Sequence, residues 1–375
     1  MINQNIPTLT GIRGIAAVWV VLFHIYPSIS DIFDLPGRSA VPQIASGFLG
    51  VDLFFILSGF ILSHVHARDF ITFRSAEHLR FLQLRLSRVY PLHLVCLLGF
   101  GLVVFLLPGA LTLFKEGELT VTSLIETLLL VQNWGVGPFS SWNSPTWSLS
   151  AEVLGYLAFP AILLAIRRYV PRGYEFVAVV VLLGVLLGFC YANHYASLDT
   201  VGKTGVLRMF IEFSVGCLLY RRLSDANADR LSYQMMFFAA LVILVVCTAN
   251  TAWSFGAVFG LTLLVAALAV PCWLGRVMFA NPFSLFLGKI SFSLYLCHMP
   301  MLIAFDWHRK YGVGWSRAEQ QMLVFGMGVF MLVLAFLLWK FVERPSQMCL
   351  RAYIRKGDVF SPARTSDTPE SAPNT

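Results

Sequence analysis

The sequence predicts an all-α, polytopic integral membrane protein with about ten transmembrane helices and both termini in the cytoplasm. Three observations carry that reading. Hydrophobic residues make up 57% of the 375-residue chain and charged residues only 13%, whereas about a quarter of a soluble domain is charged; mean hydropathy is +0.73. The apolar residues gather in about ten runs, each long enough to cross a hydrocarbon core of about 30 Å. The cations are also unevenly placed. With the N-terminus in the cytoplasm, 17 of the 27 Lys and Arg residues fall in inner loops and the tail, against 6 in outer loops, which is the positive-inside pattern. A pair of soluble domains is thereby excluded. The net charge of +7 records topology, not a nucleic-acid footprint.

The first span, near 10–28, lacks the basic leader and cleavage site of a signal peptide, so it is expected to remain as an anchor. It carries Arg13 near its start and His24 near its end. Eleven positions are about three helical turns, so both side chains share a face, roughly 16 Å apart along the axis. A charge and a titratable ring inside a span are candidate functional groups: an anion holder near the cytoplasm and a base deeper in the bundle. The plainer alternative is an arginine that snorkels and a histidine satisfied by a neighbouring helix.

The second span, near 48–66, opens with Asp52 and holds Ser58-Gly59 midway. These also fit a helix cap and a small-residue packing site. The inner loop that follows ends in Arg80, Arg85 and Arg88, just before a third span near 90–107. They are either ordinary positive-inside residues or a cytoplasmic phosphate site, since guanidinium forks match phosphate oxygens.

The longest outer segment, about 108–146, contains an apolar stretch, Val121 to Val131, too short to cross. It ends with Trp134, Phe139, Trp142 and Trp147 interleaved with Asn133, Asn143 and serines. Such rings belong at membrane interfaces; they also suit a carbohydrate platform, with sugar C–H faces on the rings and hydroxyls on Asn and Ser. Ser148, Ser150 and Glu152 open the fourth span, near 147–166. A carboxylate at that depth needs a partner, and a histidine base on a neighbouring helix would suit it.

Later spans lie near 175–193, 206–222, 234–250, 255–273, 284–304 and 321–342. In the sixth, Arg208 and Glu212 are spaced for an i,i+4 ion pair. The ninth carries Lys289, Tyr295 and His298, and Pro300 is expected to bend or break it. His64 and His66 form an HxH without further ligands clustered in sequence, so no metal is expected. The seven cysteines form no CxxC pair and read as small buried hydrophobes. No internal repeat suggests a transporter built from two halves. Residues 346–375 are expected to form a largely disordered cytoplasmic tail, leaving 1–345 as one transmembrane domain.

Six blocks in order, IRGIAAVWVVLFH, GVDLFFILSGFIL, RLSRVYPLHL, PTWSLSAEVLGYLAFP, ISFSLYLCHMP and FVERP, resemble the membrane-bound acyltransferase-3 family from about Thr10 to Pro345. The resemblance implies an acyl-CoA-dependent O-acyltransferase of the bacterial inner membrane. Acetyl-CoA is the expected donor, with a surface or secreted glycan or glycan-lipid as acceptor. It maps the family's Arg–His signature onto Arg13 and His24, its RxxR block onto Arg85 and Arg88, and its WSLSxE block onto Trp147, Ser148, Ser150 and Glu152. The second glutamate common in the family is Val153 here, and no soluble hydrolase-like extension is apparent.

On that footing Arg13, Arg85, Arg88 and Arg80 are expected to hold the donor phosphates, and His24 to act as general base. Glu152 would orient His24, and Ser148 or Tyr295 would donate to the oxyanion. Trp134, Trp142, Asn143, Trp147, Asp52 and His298 would meet the acceptor. Two other classes of function fit the same features. One is acyl transfer to a lipid or small molecule; the other is transport of a glycan-lipid with no dependence on acyl-CoA.

Overall fold

The computed structural model describes residues 6–115, 117–135, 142–224, 230–270, 272–312 and 314–359. They form α-helices throughout, with no strand among them: α1 Pro7–Ser30, α2 Pro42–Ala45, α3 Leu49–His66, α4 Ser75–Leu106, α5 Val121–Leu129, α6 Thr146–Tyr169, α7 Glu175–Ala192, α8 Lys203–Ser224, α9 Arg230–Cys247, α10 Ser254–Leu268, α11 Trp273–Phe279, α12 Pro282–Tyr311, α13 Arg317–Leu338 and α14 Arg344–Val359. Among the described residues, eight helical stretches are long and apolar enough to cross a membrane, and the chain is a polytopic membrane protein. The expected sixth and seventh spans correspond to α8 and α9. α8 carries Lys203, Arg208, Glu212, Arg221 and Arg222, and the apolar run of α9 is the shorter Leu231–Cys247.

Two helix pairs form the frame, and both depend on glycine. A Cβ on Gly14 of α1 would lie 2.6 Å from the Gly288 nitrogen of α12, and one on Gly288 would lie 2.1 Å from the Thr10 oxygen. Between α3 and α8, a Cβ on Gly59 would meet the Phe213 oxygen at 1.9 Å, and one on Gly216 the Ile56 oxygen at 2.1 Å. In lipid, where apolar side chains gain nothing by leaving the solvent, such backbone approach drives helix association. The α1–α12 pair sets His24 beside His298.

The second pair also holds an ion pair. Arg208 donates from Nη2 to Asp52 Oδ2 at 2.7 Å and from Nε to Oδ1 at 3.1 Å. Both side chains are almost wholly buried. The expected Arg208–Glu212 pairing is therefore replaced by a bidentate bond across helices, a stronger geometry than a pair along one helix. Asp52 is held inside this pair and does not cap α3, whose first-turn boundary is Phe48.

Three further expectations are corrected. The arginine-rich segment before the third span is not a loop; it is the first half of α4, which runs unbroken for 32 residues. α12 continues through Pro300 to Tyr311, as spans do where surrounding protein satisfies the freed backbone groups. The chain beyond Glu343 is helical to Val359; its polar composition belongs to an amphipathic helix packed on α4. Residues 360–375 lie outside the described part.

Candidate active site

A cavity opens between α1, α3, α4, α6 and α12. Its polar lining comes from Arg13, Ser58, Arg85, Arg88, Ser148, Glu152, Tyr156, Ser291 and Tyr295, set among apolar side chains such as Phe54, Ile61 and Val89. The charges of Arg13, Arg88, Glu152 and Glu343 lie close enough to act on one another. Arg85 and Arg88 fall one turn apart on α4 and so face the same space.

Arg85 is oriented from behind. Its Nη2 lies 3.1 Å from His66 Nε2, and His66 Nδ1 lies 2.8 Å from Asp69 Oδ2. A guanidinium can only donate, so His66 accepts at Nε2 and carries its proton on Nδ1, donated to Asp69. The second histidine of the HxH pattern thus positions an arginine; His64 packs edge-on against Tyr220. Arg80 sits on an exposed part of α4 and is not among the cavity-lining residues.

Glu152 lies in this cavity, not beside His24. Ser58 Oγ donates to its Oε1 at 2.5 Å, and Tyr156, one turn on, hydrogen-bonds to it as well. Its electrostatic partners include Arg13 and Arg85, at the opposite end of α1 from His24. The expectation that Glu152 orients His24 fails for that reason: α6 places it at the level of the arginines.

Two of the hydroxyls that line the cavity meet each other. Ser148 Oγ and Tyr295 Oη are 2.7 Å apart, and both also reach the Pro145 carbonyl, at 3.1 and 2.9 Å. Each hydroxyl has one hydrogen, and both hydrogens are taken up within this knot. In this arrangement neither group can serve as the expected oxyanion donor.

Beyond the knot stand two histidines. His24 Nδ1 lies 2.9 Å from the Val20 oxygen, and His298 Nδ1 lies 2.6 Å from the Tyr295 oxygen. A carbonyl cannot donate, so each ring carries its proton on Nδ1 and leaves Nε2 bare. The ring centroids are 5.1 Å apart. His298 is 1% exposed, and its Nε2 has no hydrogen-bond partner in the protein. His24 is half-buried and packs edge-on against Phe23 at 5.0 Å. His298, expected to meet the acceptor, lies against His24.

The expected aromatic platform is folded inward. Trp142 is buried with its Nε1 donating to the Thr120 oxygen at 3.1 Å. Trp147 is buried against Phe55 and beneath the Arg208 guanidinium. Trp134, half-buried, donates to the Ser150 oxygen at 3.0 Å. Asn143 is fully buried and donates to the Leu296 oxygen at 3.0 Å. These residues seat the segment on the start of α6, with Ser150 Oγ accepting from the Asn133 nitrogen. Phe139 lies outside the described residues. Sequence reasoning gave no role to Tyr156 or Asp69 and read Ser58 only as part of a small-residue packing site. The four-residue step from Glu152 to Tyr156 was the one legible signal among them.

The chain matches the family model described as "Acyltransferase domain" over residues 6–340. It is 28% identical over 379 residues to "Acyltransferase MdmB" of Streptomyces mycarofaciens, covering 95% of this chain and 94% of that protein. It is 24% identical over 328 residues to "O-acetyltransferase OatA" of Staphylococcus aureus (strain NCTC 8325 / PS 47), covering 80% of this chain and 51% of that protein. The chain thus spans about half the length of that staphylococcal relative. No solved structure matches.

Proposed function

The chain belongs to the membrane acyltransferase family whose domain it matches over residues 6–340, and from that premise we propose that it moves an acetyl group from cytoplasmic acetyl-CoA to a hydroxyl of a glycan or glycan-lipid on the outer side of the bacterial inner membrane. The family membership makes it an enzyme that transfers acyl groups. One observation supports the donor and the direction: a cavity lined by Arg13, Arg85 and Arg88 ends at Tyr295, and the histidine pair stands directly beyond it.

The donor's phosphates meet the guanidiniums, which suit phosphate oxygens in fork geometry. Its thioester arm reaches along α1 towards His24, a rise of roughly 16 Å. Passage requires the Ser148–Tyr295 contact to open, which also frees a hydroxyl hydrogen for the oxyanion. The acceptor hydroxyl loses its proton to the bare Nε2 of His24. The resulting oxygen attacks the thioester carbonyl, the C–S bond breaks, and the proton passes to the departing thiolate. His298 takes the supporting role expected of Glu152, because its bare Nε2 can accept a hydrogen bond only from a protonated His24.

Equilibrium binding and turnover of acetyl-CoA by the purified protein test this reading. Arg13→Ala is expected to lose binding. His24→Ala is expected to bind the donor normally and fail to turn over. A wild-type protein with no affinity for any acyl-CoA would overturn the proposal in favour of glycan-lipid transport.

A further inference from the structure

The segment between α1 and α2 folds back onto the turn of α1 that bears His24. Tyr26 Oη donates to the Pro36 oxygen at 2.9 Å, and Arg38 Nη1 donates to the Phe23 oxygen at 3.2 Å. The Arg38 guanidinium lies 4.2 Å from the centre of the Phe23 ring, and that ring meets His24 edge-on at 5.0 Å. Arg38 also lines a second cavity, separate from the arginine chamber. Its walls come from three segments that join helices, at residues 38–45, 197–199 and 249–251.

These walls are pinned to one another and to the bundle. Ser46 Oγ donates to the Thr248 oxygen at 3.3 Å, the Leu198 nitrogen to Ser254 Oγ at 3.0 Å, and the buried Arg208 to the Thr200 oxygen at 2.8 Å. The polar lining is Arg38, Ser39, Ser197, Asp199, Asn250 and Thr251. Arg38 and Asp199 carry opposite charges, yet among the described residues no ion pair joins them; Arg38 is turned to the Phe23 carbonyl instead. Asn250 Oδ1 accepts from the Ala252 nitrogen at 2.9 Å, and Ser197 Oγ from the Asp199 nitrogen at 3.2 Å. The Asn250 amide hydrogens and the Ser197 hydroxyl hydrogen are left to donate elsewhere. Donors and a carboxylate acceptor therefore share one wall whose charges cancel, which matches the adjacent hydroxyls of a sugar. An anion would face Asp199 as well as Arg38, and an acyl chain would meet mainly polar groups.

We propose that this cavity is an acceptor subsite, which holds a neutral sugar unit next to the one whose hydroxyl reaches His24. The inference rests on the reading of the acceptor as a glycan. In the orientation proposed above, all three segments lie on the outer side, where that acceptor arrives. Arg38 belongs both to the cavity wall and to the turn that carries His24, so a sugar held there is set beside the histidine pair. A subsite for a second unit makes the enzyme one that modifies chains in preference to single sugars, because contacts to the neighbouring unit are used at the reacting one.

The test is acetyl transfer from radiolabelled acetyl-CoA by the full-length protein in nanodiscs, offered methyl glycosides of one, two and three glucose, galactose or rhamnose units. For the sugar that is acetylated, kcat/KM is expected to rise about 10-fold from one unit to two, the effect of one charge-assisted hydrogen bond. Asp199→Asn and Thr251→Val should each remove most of that rise, with kcat/KM for the single unit and the acetyl-CoA dissociation constant unchanged. A kcat/KM independent of chain length, or a rise that survives both variants, overturns the subsite and leaves the glycan reading standing. Preference for a disaccharide ending in glucuronic acid over its neutral counterpart overturns the assignment to a neutral unit. A protein that binds acetyl-CoA but acetylates none of the sugars overturns the subsite and the glycan acceptor together, and keeps the donor. One that binds no acetyl-CoA overturns the proposed function as well.

Discussion

His24 and His298 each commit Nδ1 to a carbonyl of the preceding turn, which leaves Nε2 bare. At the scale of single residues, this predicts a separation of binding from chemistry. His24→Gln should lower kcat by about 10²–10⁴-fold, the usual weight of a general base, with the acetyl-CoA dissociation constant unchanged. His298→Gln should lower kcat less and alter the pH–rate profile, because the neighbour that receives a hydrogen bond from protonated His24 has been replaced. Steady-state kinetics across pH, beside donor titration, checks both. The Asp52–Arg208 pair, nearly sealed from solvent, belongs to stability. Asp52→Ala removes both carboxylate hydrogen bonds of a buried guanidinium and should cost about 3 kcal/mol, read as a lower unfolding temperature in detergent. Replacing both partners by apolar residues should restore much of that loss. The spacing from Arg13 to His24 was legible in the sequence because it depends on one helix alone. The partners of Glu152 and Arg208 were not, because they come from helices nearly 100 or more residues away, and nothing local encodes which helices pack together.

Among the elements, α1 and α12 pack backbone against backbone at Gly14 and Gly288. Gly288→Leu should therefore separate Arg13 from His24's partner helix and abolish turnover along with thermal stability. The effect on α4 is subtler. Arg85 is aimed by His66, which is held in turn by Asp69. His66→Ala should raise the acetyl-CoA dissociation constant several-fold, in proportion to one lost contact to a charged group, with kcat nearly unchanged. Donor titration at fixed acceptor concentration separates the two quantities. Most spans were readable from their apolar runs. The first half of α4 was missed because its arginines mimic a solvated loop. α14 was missed because its tail is rich in Pro, Ser and Thr. In both cases the residues hide a face that packs on the bundle, and a hydropathy average cannot distinguish that face from solvent-facing chain. The tryptophans after α5 misled in the opposite way: rings suited to an exposed platform suit equally well a segment plugged into the protein, and only the buried hydrogen bonds of Asn143 and Trp142 decide.

For the molecule as a whole, the proposed orientation sets the arginine mouth in the cytoplasm and the end of α1 outside. Single cysteines at Arg172 and Asn250, both in segments joining helices, should then react with an impermeant maleimide from opposite faces of intact cells, Asn250→Cys from without and Arg172→Cys only after lysis. That orientation rests on the distribution of cations along the sequence. The division between an arginine chamber and a histidine pair was not legible, since it arises from the contact of Ser148 and Tyr295 with the Pro145 carbonyl. That small knot has a bioenergetic meaning. A catalyst that draws one reactant from each side of a membrane needs a passage, and an open passage would let protons run down their gradient and drain the cell's stored voltage. In the proposed two-sided reaction, three oxygen atoms held by two hydrogens would close that passage. Removing the knot, as in Tyr295→Ala, should make proteoliposomes leak protons to a trapped pH-sensitive dye even when no donor is present.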